Sequence, residues 1–264
     1  MKVTYIGYSS EIIEYLFSRN DIEIEYVITK IGMINHEIIN MMKKENIEIK
    51  YVEKRQDLYD IPEKYYKNVV LIYKFGIIIP DDIIKKGSFF NIHFGDLRTN
   101  RGAHSLRWSI LLRDTETKMS IYKIDGVDEG LVISENDVFI DDLDNIITLE
   151  KKMEDKFREL IDALFKFQMG RISGYEVKNG KYRRKIVESD YMISSQDSLE
   201  TASAKIRAMF DFGGAICIYN GVKYRVKDCV VGINSIICND EQEVILFQLQ
   251  HQKVFLLVEK YAWI

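Results

Sequence analysis

The segment Asn68-Val-Val-Leu-Ile-Tyr73 has almost no polar face. A strand of that composition needs cover on both sides, the setting of a parallel sheet held between two helical layers. Three further candidate strands precede it. Lys2–Gly7, Glu23–Thr29 and Ile47–Val52 read as strands. Between them lie helical spacings: Ile12, Ile13, Leu16 and Phe17 in Ser9–Phe17, and Ile38, Ile39 and Met42 in Asn35–Glu45. Strand and helix alternate, so the expectation is an α/β fold with a Rossmann-like, doubly wound sheet.

Further along, Gly87–His93, Met119–Ile124 and Leu131–Ile140 read as strands and Ser105–Arg113 as a helix. Leu149–Met169 reads as one long helix, with Met153, Phe157, Leu160, Ile161, Leu164 and Phe165 on its apolar face. The polar, basic stretch that follows suits a linker. Ser198–Met209 reads as a helix. The remainder favours short strands: Ala215–Tyr219, Lys223–Val231, Glu243–Leu249 and Lys253–Tyr261. Asn220-Gly221 between two apolar runs is a hairpin signal, because both residues tolerate positive φ. These readings give a Rossmann-like domain over 1–185, a linker over 186–202 and a small OB-like β-barrel over 203–264.

With 37 basic and 41 acidic residues, the 264-residue chain carries a net charge of −4. Nucleic-acid partners normally require a basic excess, so none is expected. Three cysteines, Cys217, Cys229 and Cys238, form no CxxC pair, which argues against a disulfide framework or a structural zinc site. No apolar run is long enough for a membrane span. The start Met1-Lys-Val-Thr-Tyr-Ile enters a strand pattern directly and offers no cleavable leader, so a cytoplasmic protein is expected. The first βα turn, Gly7-Tyr-Ser-Ser, lacks the GxGxxG of a dinucleotide site, and no Walker sequence occurs. None of the four histidines, His36, His93, His104 and His251, forms an HxH or HExxH pair, and no metal is expected.

Two elements can carry chemistry. Asn91-Ile-His93 closes an apolar strand, and strand alternation puts its amide and imidazole on one face. Ligands of open α/β sheets bind at the carboxyl ends of strands. An amide and an imidazole there can polarise a carbonyl and move a proton. The second element, Gly126-Val-Asp128-Glu-Gly130, is a Gly-flanked acidic turn. An Asp close to a His raises the imidazole pKa and orients the ring.

Together these pieces resemble the 10-formyltetrahydrofolate-dependent formyltransferases. That family carries an Asn-x-His motif, an Arg-Gly loop, a Trp-containing helix and a Gly-x-Asp-x-Gly loop. Here they read Phe90-Asn-Ile-His-Phe-Gly-Asp-Leu, Asn100-Arg-Gly, Trp108 and Gly126-Val-Asp128-Glu-Gly130, with His93 and Asp128 35 residues apart. Tyr73-Lys-Phe-Gly-Ile-Ile-Ile-Pro80 resembles the family's folate-contacting strand end. Lys205-Ile-Arg-Ala-Met209, followed by Gly213-Gly-Ala, resembles the entry to its C-terminal barrel.

The resemblance implies Asn91, His93 and Asp128 as the catalytic trio and 10-formyltetrahydrofolate as co-substrate. It implies a pterin slot near Tyr73, Phe75, Gly76 and Ile78. The transfer-RNA branch has Ser-Leu-Leu-Pro after the histidine, whereas this chain has Phe94-Gly-Asp-Leu-Arg98-Thr, and it is shorter than those enzymes. The branch acting on nucleotide-linked amino sugars fits better, as a step towards surface glycans such as O-antigen. Ser9 and Ser10 at a helix start, with Arg101, His104 and Arg207, are the candidate acceptor contacts. Relatives in that branch are often dimers, so a homodimer is in prospect. Methionyl-tRNA or a carrier-bound aminoacyl group is the alternative acceptor. Glu129 departs from the family's Thr in the Asp loop.

Overall fold

The computed structural model describes residues 1–33, 36–126, 129–231 and 241–260. Strands are β1 (Lys2–Gly7), β2 (Glu23–Lys30), β3 (Glu48–Val52), β4 (Val69–Tyr73), β5 (Ser88–Phe94), β6 (Arg101–Gly102), β7 (Glu116–Gly126), β8 (Glu129–Phe139), β9 (Tyr175–Glu176), β10 (Tyr182–Arg183), β11 (Met192–Ile193), β12 (Ala215–Tyr219), β13 (Val222–Val230), β14 (Glu243–Gln248) and β15 (Lys253–Lys260). Helices are α1 (Ser10–Phe17), α2 (His36–Lys44), α3 (Glu63–Tyr66), α4 (Asp81–Ile84), α5 (Ser105–Leu111), α6 (Ile146–Glu154), α7 (Phe157–Gln168), α8 (Glu188–Tyr191) and α9 (Leu199–Ala208).

Two compact units result, and neither is one run of sequence. The first takes 1–98, 118–136 and 155–180; the second takes 99–117, 137–154 and 181–264. The sequence reading instead took 1–185 as one domain. The first unit is α/β. Its sheet runs β3-β2-β1-β4-β5-β7-β8-β9. β3, β2, β1, β4 and β5 are parallel, and β7 returns antiparallel to β5. The sheet is therefore mixed. All of β4 is buried, as a strand with no polar face requires. Ile6, Ile28, Val70, Ile72 and Phe89 join one core cluster. Each such side chain contributes about 1.5–3 kcal/mol when fully buried.

In the second unit, β6 and β10 form a short parallel ladder, and a five-stranded sheet runs β11-β12-β13-β15-β14. Asn220 and Gly221, at φ 49° and 77°, turn β12 into β13 as their sequence requires. Among the described residues the pairings end at β14 and do not return to β11. A closed OB-like barrel is thus not seen; the observed element is an open sheet order.

Two further differences involve partners distant in sequence. The long helix expected over Leu149–Met169 is broken into α6 and α7, which lie in different units. At the break the Lys156 carbonyl accepts from Asn136 Nδ2 at 3.3 Å, a side-chain contact that periodicity does not register. The segment expected as a linker, 186–202, holds α8, β11 and the start of α9. Within it Met192 and Ile193 pair with Ile216 and Cys217, and Ile193 is buried. Cys238, like Asp128, lies outside the described residues. No described helix is long and apolar enough to cross a membrane.

Candidate active site at the carboxyl end of the parallel sheet

Register brings the chemistry-bearing positions of the first unit to one edge. Gly7 pairs with Tyr73, and Tyr73 with Ile92, so the chain leaves β1, β4 and β5 side by side. Only glycine fits at position 7: a Cβ would lie 2.4 Å from the Tyr73 carbonyl oxygen and 2.6 Å from the Tyr5 hydroxyl. That buried hydroxyl accepts the Ser9 N–H at 3.1 Å and so sets the start of α1.

His93 is buried and Asn91 half-buried, both on β5. Directly opposite them on β7 stand Ser120 and Tyr122. Opposed residues of an antiparallel pair share a face. Asn91 Nδ2 donates to the Tyr122 hydroxyl at 3.0 Å. The edge therefore holds an orienting phenol, an amide donor and an imidazole within two residues of β5. These are the parts needed to polarise a carbonyl and accept a proton. Asp128, the third member expected here, lies outside the described residues. Its neighbours Gly126 and Glu129 end β7 and begin β8.

The expected pterin contacts divide by burial. The Tyr73 ring is buried and meets Phe94 edge-on at 5.4 Å, and Phe75 belongs to the core. Their side chains support the strand end from below. Gly76, with left-handed φ of 72° and open space at its Cβ position, and Ile78, 56% exposed, are the accessible members of the four. Lys74, between β4 and Gly76, is left-handed as well.

The expected acceptor contacts are spread over both units. Ser9 caps α1, its Oγ accepting from the Ile12 N–H at 3.4 Å and donating to Glu11 at 2.9 Å. Ser10 is the first helical residue. A diphosphate at this helix start would meet the Glu11 carboxylate as well as the backbone donors. Arg101, His104 and Arg207 belong to the second unit. Arg101 is buried in β6, and its N–H donates to Lys181 at 3.0 Å. His104 Nδ1 accepts the Ile186 N–H at 3.3 Å, and its pKa is held below the usual value by partial burial, then by Arg107 and Lys185. Arg207 Nη1 donates to the Asp144 carbonyl at 2.6 Å, so this guanidinium already ties α9 to the chain before α6. The Trp108 indole donates to the Arg184 carbonyl at 2.8 Å.

Sequence reasoning missed Tyr122 and also a clasp beyond His93. Arg98 grips Glu135 bidentately, at 2.8 and 3.0 Å, and Asp96 at 3.1 Å. Tyr175 and Ser120 also donate to Glu135. Burial pushes the Glu135 carboxyl up, but the Arg98 and Tyr175 hydrogen bonds outweigh it and hold the pKa below its ordinary value. A depressed folded-state pKa gives stability that is present above the unfolded pKa and lost as pH falls through the folded one. Glu135→Gln is expected to cost about 1 kcal/mol after solvent screening of the exposed Arg98, a fall of roughly 2–4 °C in Tm. The difference between wild type and variant should shrink as thermal melts are taken from neutral pH into the acid range. A difference that is constant with pH would contradict the clasp.

No family model matches the chain. In sequence it is similar to a methionyl-tRNA formyltransferase of Pelagibacter ubique (strain HTCC1062), 27% identical over 205 residues that span 70% of this chain and 66% of that relative. The chain thus spans less than two thirds of the length of this curated relative. In fold it is similar to WlaRD, a sugar 3N-formyl transferase solved in the presence of dTDP and 5-N-formyl-THF, with a TM-score of 0.71 at 16% identity, covering 100% of this chain and 99% of that one. A 4-N formyltransferase from Francisella tularensis gives a TM-score of 0.67 at 19% identity, covering 84% of this chain and 94% of that one. Sequence and fold thus converge on a resemblance to formyltransferases.

Proposed function

We propose that this protein is an enzyme that transfers the formyl group of 10-formyltetrahydrofolate to the primary amine of a nucleotide-linked amino sugar. The observation that carries the reading is the pairing of an amide and an imidazole, Asn91 and His93, on one face at the end of β5. Beside it stand the fold similarity to sugar formyltransferases over essentially the full chain and the net negative charge, which suits a small acceptor better than a transfer RNA. That the curated relative acts on methionyl-tRNA is the observation favouring the second reading, methionyl-tRNA or a carrier-bound aminoacyl group as acceptor.

The chemistry follows from the residue types. The acceptor amine attacks the formyl carbon, forming a C–N bond while negative charge gathers on the carbonyl oxygen. An Asn91 N–H donates to that oxygen; one such donor is typically worth about 10²–10³ in rate. His93 accepts the proton that the amine loses. The bond to folate N10 then breaks, N10 takes a proton, and tetrahydrofolate leaves. Asp128 holds His93 in the required tautomer. Gly76, Ile78 and the backbone beside Tyr73 and Phe75 take the pterin. Ser9 and Ser10 are candidate contacts for the acceptor.

The test is a panel. Nucleotide-linked amino sugars and charged methionyl-tRNA are each incubated with the protein and 10-formyltetrahydrofolate, and products are read by mass. Gain of one formyl group by an amino sugar, with charged transfer RNA unchanged, is the expected result. Formylation of the transfer RNA alone, with salt-sensitive binding, would replace this reading with the second.

A further inference from the structure

We infer that Tyr122 is a positioning residue of the transfer centre: its buried hydroxyl holds the Asn91 amide in place at the end of β5. The inference rests on the formyl-transfer reading above. Asn91 and Tyr122 are register partners on adjacent antiparallel strands, so their side chains leave the sheet on the same face. Tyr122 is 2% exposed, and a phenol so buried holds its hydroxyl oxygen in a defined place. That oxygen accepts from Asn91 Nδ2 at 3.0 Å.

The two ends of an Asn amide are nearly equal in shape and opposite in function. Nδ2 carries two hydrogens, and Oδ1 carries only lone pairs. Only Nδ2 can donate to a developing oxyanion, so the amide has to be held in place to do it. The Tyr122 hydroxyl uses one Nδ2 hydrogen and leaves the second for the formyl oxygen. Without the hydroxyl, the amide loses the hydrogen bond that holds it in this rotamer. The neighbouring pair, His93 and Ser120, stands one step along the same face, so the orientation is fixed next to the base.

The test is a cycle on the full chain: wild type, Tyr122→Phe, Asn91→Ala and the double variant. The acceptor is the amino sugar that gains a formyl group in the panel, and binding of 5-formyltetrahydrofolate is titrated in parallel. Tyr122→Phe keeps the ring and removes one oxygen. It is expected to lower kcat about tenfold, less than the ~10²–10³ expected for losing the donor itself, with KM for both substrates and folate affinity within about twofold. In the Asn91→Ala background the same change should alter kcat by less than about twofold, because the group it positions is gone. Equal losses in both backgrounds would mark Tyr122 as merely structural and overturn the inference. An unchanged kcat in Tyr122→Phe would overturn it too. If Tyr122→Phe fails to fold, Tyr122→Met, a flexible apolar fill, must give the same pattern. A wild type that formylates no acceptor overturns the formyl-transfer reading and the inference with it. A wild type that turns over while the cycle is additive overturns only the role of Tyr122.

Discussion

His93→Asn is expected to lower turnover by about 10²–10⁴-fold, the range supplied by a positioned general base. The imidazole stands at the end of β5, two residues beyond Asn91 and opposite Ser120. Asn is smaller, polar and unable to take a proton, so the variant should fold with the strand intact. Folate affinity should stay within about twofold, because the proposed pterin contacts are on the segment after β4. Asp128→Asn should also slow turnover, through loss of the charge proposed to orient the imidazole. The double variant should be about as slow as the worse single one, since the two act as a unit. Steady-state rates for the four proteins, with folate titrations, check this. Near-normal turnover in His93→Asn would remove the base from the mechanism.

Gly130→Ala is expected to be the most destabilising small substitution around the acidic loop. Gly130 has φ of 145°, and a Cβ built there would lie 1.8 Å from the Lys123 carbonyl oxygen on the neighbouring strand. That atom belongs to the backbone of β7, so no side chain can swing aside. β7 and β8 would have to part near the start of β8. Overpacking typically costs about 1–3 kcal/mol, and a backbone conformation that disfavours a side chain adds about 1–3 more. The sum corresponds to a fall of roughly 10 °C in Tm. Turnover measured below the melting range should fall as well, since Asp128 lies between these strands in the sequence. Thermal melts and rates on the same preparation check it, and an unchanged Tm would contradict the described β7–β8 geometry.

How much of this was legible in the sequence depended on whether a signal was local. The apolar run at Asn68–Tyr73 announced a strand buried on both faces, and β4 is buried throughout. Asn220-Gly221 announced a hairpin because positive φ is a property of the residues themselves. Asn91 and His93 could be put on one face from alternation alone. Tyr122 could not be found that way: its link to Asn91 spans 31 residues and exists only through the register of β5 on β7. Glu135 was hidden for the same reason: its partners Arg98 and Tyr175 lie far from it in sequence. The break between α6 and α7 and the strand at Met192–Ile193 depend on partners distant in sequence. The two-unit division joins three separated segments in each unit, which no composition shift along the chain reveals. Tyr73 and Phe75 were implied as pterin contacts by the resemblance; their side chains are buried, and Gly76 and Ile78 are the exposed members of the four.

The most direct measurement follows the formyl group itself. The protein is incubated with 10-formyltetrahydrofolate labelled in the formyl carbon and with the acceptor panel, and labelled product and tetrahydrofolate are counted together. Formyl transfer requires equal amounts of the two, appearing only when an amine acceptor is present and falling together in His93→Asn. Tetrahydrofolate released without label in any acceptor, or label transferred undiminished by His93→Asn, would contradict a transfer centre at the end of β5.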